Sequence, residues 1–72
     1  MNDANFRRVL YEAISDLYKE KEDKRGRFEL SKRATFEFPR GEWAWMLVAK
    51  AYEDEDDMDR ARQIYREKES WA

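Results

Sequence analysis

The chain has 72 residues, 44% of them charged and 15% aromatic, with a formal net charge of -2 and neither cysteine nor histidine. That length sets one domain, and the missing residue types exclude disulfides, thiolate metal sites and the commonest zinc ligand and general base. Mixed charges beside many aromatics argue against disorder, no apolar run approaches the ~20 residues of a membrane span, and residues 1–5 lack the basic and apolar stretches of a signal peptide. A soluble, cytoplasmic protein is expected.

Asp3 is a candidate N-cap for a first helix. Phe6, Val9, Leu10, Ala13, Ile14, Leu17 and Tyr18 follow at spacings of three and four, which form one apolar helix face. The helix is predicted over 3–24, with Gly26 as its terminating glycine. From 27 to 38 the period changes. Phe28 and Leu30 alternate with Arg27 and Glu29, and Ala34, Phe36 and Phe38 alternate with Thr35 and Glu37. At a period of two these apolar residues share a face, which predicts a short β-hairpin. A lone two-stranded ribbon is marginal in water, so its Phe face is expected to rest on the helices.

Pro39 and Gly41 punctuate the chain before Trp43–Tyr52, where Lys50 is the only charge. A helix apolar on all sides is a buried one, so 42–53 is predicted as the central element. Trp43 and Trp45 point about 200° apart on it, and each needs its own cover. Glu53–Asp57 form an acidic turn. Asp57 is the candidate cap of a last helix over 57–70, with Asp59 near its positive N-terminus and Met58, Ala61, Ile64, Tyr65 and Trp71 facing inward. The predicted fold class is α+β: helix, β-hairpin, then an antiparallel helical pair.

Trp45, Val48, Ala49 and Tyr52, followed by Ala61 and Tyr65, have the spacing of the tetratricopeptide repeat, which this segment resembles. Asp59–Tyr65 is also similar to the related half-a-TPR repeats. The resemblance covers 43–70 and implies a helical hairpin that binds other proteins. It departs at Asp56, where that family usually turns on glycine. A shift of 34 residues further aligns Tyr11 with Trp45, Ile14 with Val48, Ser15 with Ala49, Tyr18 with Tyr52 and Asp23 with Asp57. The second helix of such an earlier unit would occupy 24–36, where Arg27 and Ser31 replace the small inner residues. The alternative fold is therefore all-α, as two tetratricopeptide-like helix pairs.

Chemistry finds little purchase. The acidic turn fails as a calcium loop, because counting from Asp54 puts Asp59 at the sixth position and Tyr65 at the twelfth, where glycine and glutamate are needed. Glu12 and Asp16 lie one helical turn apart, but nothing in the sequence buries them to shift a pKa. No catalytic, cofactor-binding or metal-ligating residues emerge, so the chain is read as not an enzyme and as having no cofactor. The expected function is a protein–protein interaction module binding a protein, a peptide or a second copy of itself. Trp43, Met46, Arg27, Lys32 and Arg33 are its candidate partner-binding residues. One alternative is a designed or scaffold domain without biological activity. Another is weak nucleic-acid binding through the basic 19–33 segment, with Phe28 as a stacking ring.

Overall fold

A computed structural model of the chain describes residues 3–69, with side chains from 4 to 67. It is all-α, with α1 spanning Asp3–Glu20, α2 Lys24–Glu37, α3 Glu42–Asp54 and α4 Met58–Glu69. The α+β expectation is overturned: there is no strand among the described residues, and the segment read as a β-hairpin over 27–38 lies in α2 and the turn after it. The cap expected of Asp3's side chain and the inward place expected of Trp71 lie outside the described side chains.

The misreading has a physical cause. The buried residues of α2 are Arg27, Ser31 and Ala34, four and three apart. That is helical spacing, but two of the three are polar, so apolar periodicity cannot reveal the face. Phe28 and Leu30 flank it half-buried, and Phe36 is 90% exposed. The start signal was present at Asp23, whose carboxylate accepts the Gly26 amide at 2.9 Å, an N-cap bond. Gly26 therefore sits in the first turn of α2 rather than closing α1. A Cβ there would lie 2.7 Å from the Tyr18 ring, so a glycine lets the two helices meet.

The two helical hairpins, α1–α2 and α3–α4, repeat each other at the same shift of 34 residues. Glu22 and Asp56 both take the left-handed conformation, with φ of 57° and 61°. The amides of Asp23 and Asp57 donate to the carbonyls of Tyr18 and Tyr52, each at 2.9 Å. Asp57 then accepts the Arg60 amide at 3.3 Å, as Asp23 does for Gly26. One turn design closes both hairpins.

α3 lies in the middle, in contact with α1, α2 and α4. On one side Ala44 and Leu47 pack with Ala34 of α2, flanked by Tyr11 and Trp43. On the other side Val48 and Ala49 pack with Ala61 and Ile64 of α4, flanked by Trp45, Tyr52 and Tyr65. The two tryptophans thus serve opposite clusters. Alanines at 34, 44, 49, 51 and 61 are almost wholly buried, which lets the backbones approach closely. The result is a thin slab of 38 × 33 × 15 Å.

Candidate interaction surface

The candidate partner-binding residues fall into three separate places. Arg27 is inside, only 3% exposed. Its Nε donates to Ser15 Oγ at 2.9 Å and its Nη1 to Asp54 Oδ2 at 2.6 Å, tying together α1, α2 and the end of α3. Lys32 and Arg33 are exposed on α2, Arg33 at the edge of the groove that α2 forms with α1. The Lys32 ammonium lies 5.6 Å from the Phe28 ring centre. Phe28 packs edge-on against Tyr52 at 5.3 Å, so its ring is engaged within the fold. Trp43 is half-buried between Tyr11 and Phe38, at 5.9 and 5.2 Å between ring centres, and Met46 is half-buried one turn along α3.

The acidic turn is spent within the fold. Asp54 holds Arg27, Glu53 Oε1 accepts the Tyr65 hydroxyl at 3.0 Å, and Asp57 caps α4. Burial, with Glu53 next to it, raises the Tyr65 pKa above that of an ordinary phenol.

The largest exposed apolar feature is one that sequence reasoning turned the wrong way. α1 presents Phe6, Val9, Leu10, Ile14 and Leu17 to solvent, each between 37% and 62% exposed. What α1 buries is Ser15, with Tyr11 and Tyr18 half-buried on either side. The helix therefore docks through a polar and aromatic seam and leaves its aliphatic stripe outside. The lost signal is again a buried polar residue: Ser15 is inside because Arg27 is.

The internal register explains what kind of surface this is. Val9, Leu10, Ala13 and Leu17 correspond to Trp43, Ala44, Leu47 and Ala51 under the 34-residue shift. In α3, Ala44, Leu47 and Ala51 are buried, and the first two pack with α2. The α1 stripe is thus the counterpart of a helix-packing face, without a helix upon it among the described residues.

Two charged borders line the stripe. Phe6, Leu10, Ile14 and Leu30 form a shallow groove between α1 and α2, with Arg7 and Arg33 on its rim. Arg7 makes a forked pair with Glu37, its Nε donating to Oε2 at 2.8 Å and its Nη2 to Oε1. That bonding holds the Glu37 carboxyl below its ordinary pKa. Tyr11 beside it is pushed up, first by burial and then by the Glu37 charge. Asp16 lies along the other border, exposed, and exposed Glu20 ends the stripe in the last turn of α1. No helix among the described residues is long and apolar enough to cross a membrane. Comparison with known proteins gives no match among family models, curated proteins or solved structures.

Proposed function

We propose that this chain is a non-enzymatic protein-interaction module whose docking surface is the outer face of α1. The carrying observation is the contiguous stripe Phe6–Val9–Leu10–Ile14–Leu17, exposed on a helix whose register-mate in the same chain is buried. Exposed contiguous apolar surface with a polar rim marks interaction sites, whereas scattered single residues do not. The tetratricopeptide-like spacing of the C-terminal pair supports the same role. Trp43, Met46 and Lys32 lie on other parts of the slab, whereas Arg33 stands on the rim of the stripe's groove.

The test is a photo-reactive benzophenone amino acid placed at Ala13, within the stripe. Illumination is expected to give an adduct with another polypeptide, lost when Leu17→Glu places a charge on the same face. Absence of any polypeptide adduct, with the chain folded, would refute the role.

A further inference from the structure

We propose that the polypeptide covering this face is a second copy of the chain, paired about a two-fold axis with the two α1 helices parallel. The inference rests on the docking role above and adds the occupant and its orientation.

Stacking another copy head to tail would require α4 to offer what α2 offers α3. It does not. α2 meets α3 with Ala34 beside half-buried Phe28. The register-mate of Phe28 on α4 is Arg62, and Asp59, Arg60, Gln63, Arg66 and Glu67 are likewise exposed. One end of the slab is apolar and the other, among the described residues, is polar apart from Met58 at the edge of α4, so they do not match. Self-pairing of the apolar ends does match, since each copy brings the same stripe, as in a two-fold dimer.

The charges choose the orientation. At about 100° per residue, Val9, Ala13, Phe6, Leu17, Leu10 and Ile14 share one arc, which Glu20 enters only in the last turn of α1. Asp16 borders it on the Val9 side, followed by Glu12 with its partner Arg8 and by Lys19, and Arg33 of α2 borders it on the Ile14 side beside Arg7, whose charge is met by Glu37. Asp16 has no ion-pair partner among the described residues. A two-fold axis along the helix lays each copy's acidic border against the other's basic border. A two-fold axis across the helix lays each border against itself, cation to cation. Arg33 lies beside Leu10 and Ile14, about one turn from Asp16, within reach of a long side chain. One helix face offers less than the ~800 Å² per partner of a standard complex, so the dimer forms with rising concentration rather than permanently.

Sedimentation velocity from micromolar to millimolar chain tests this. The mass is expected to rise from monomer to dimer and stop there. Leu17→Glu is expected to hold it at monomer with helical content unchanged by circular dichroism. Asp16→Arg and Arg33→Asp should each weaken the dimer, and the double exchange should restore it. Because the chain has no cysteine, Phe6→Cys supplies a single thiol, and added diamide, which takes up the two electrons and two protons, is expected to join the two thiols of the parallel pair as an intermolecular disulfide. A folded monomer at millimolar concentration overturns the proposal. So does growth beyond dimer, a dimer indifferent to Leu17→Glu, a double exchange no better than the single ones, or a dimer of the Phe6→Cys variant whose two thiols do not join. A monomer whose Ala13 cross-linker still captures a different polypeptide, in a Leu17-dependent way, keeps the docking role and removes self-pairing. No adduct of either kind removes both.

Discussion

Arg27 decides more of this fold than any apolar residue of α2. It is a buried cation whose charge is met by one carboxylate, Asp54, while Ser15 takes its second bond. Breaking a buried pair from one side strands the other charge, whereas removing the charge and filling its space can be nearly neutral. Asp54→Asn is therefore expected to cost about 3 kcal/mol, and Arg27→Met clearly less, because the Asp54 left behind is partly exposed. Equal costs in urea unfolding would contradict the asymmetry. Gly26 yields a second test at this scale. Alanine gains about 1 kcal/mol of helix propensity, but its Cβ would press on the Tyr18 ring and the Asp23 carboxylate. Gly26→Ala is expected to destabilise by about 1–2 kcal/mol through overpacking, and a stabilised variant would show that the helices have room. Glu22 is the converse, a side chain in the left-handed region that strongly favours glycine. Glu22→Gly is expected to raise stability by about 1 kcal/mol, and Asp56→Gly by less, since aspartate tolerates that conformation.

Among the elements, α3 and α4 were legible because their buried residues are apolar at helical spacing, and the acidic turn was legible through its cap; Met58, expected inward, is instead 46% exposed in the first turn of α4. α2 was not. Its inner face is Arg27, Ser31 and Ala34, and the flanking Phe28, Leu30 and Phe36 mimic a strand's alternation. α1 was legible as a helix but not in its orientation, since hydrophobicity alone turns Leu10 and Leu17 inward and Ser15 outward. The 34-residue register held the correction: aligning Ser15 with buried Ala49 places Ser15 inside. The α1–α2 contact also carries a pH signature. The Glu37 pKa is lowered by Arg7, so its contribution is present above the ordinary glutamate value of about 4.3 and is lost as pH falls through the lower folded value. Urea midpoints of the native chain and Glu37→Gln are expected to differ at neutral pH and to converge in acid. A gap that widens on acidification would contradict the assignment. Tyr11 and Tyr65 titrate with the opposite sense: their raised values hold stability below the ordinary phenol pKa and release it as pH rises.

As a whole the molecule is a slab in two repeated halves, with an aliphatic face at the α1 end and a charged one at the α4 end. Everything proposed about its partners depends on that polarity, and so on α1 docking through Tyr11, Ser15 and Tyr18. The most direct test is the urea unfolding of Leu17→Glu and Val9→Glu at low chain concentration. If the stripe is surface, both variants fold with native helicity and lie within about 0.5 kcal/mol of the original chain, as substitutions away from packed features do. If either loses several kcal/mol or fails to fold, the aliphatic face is core. The orientation of α1, and the docking surface with it, would then be contradicted.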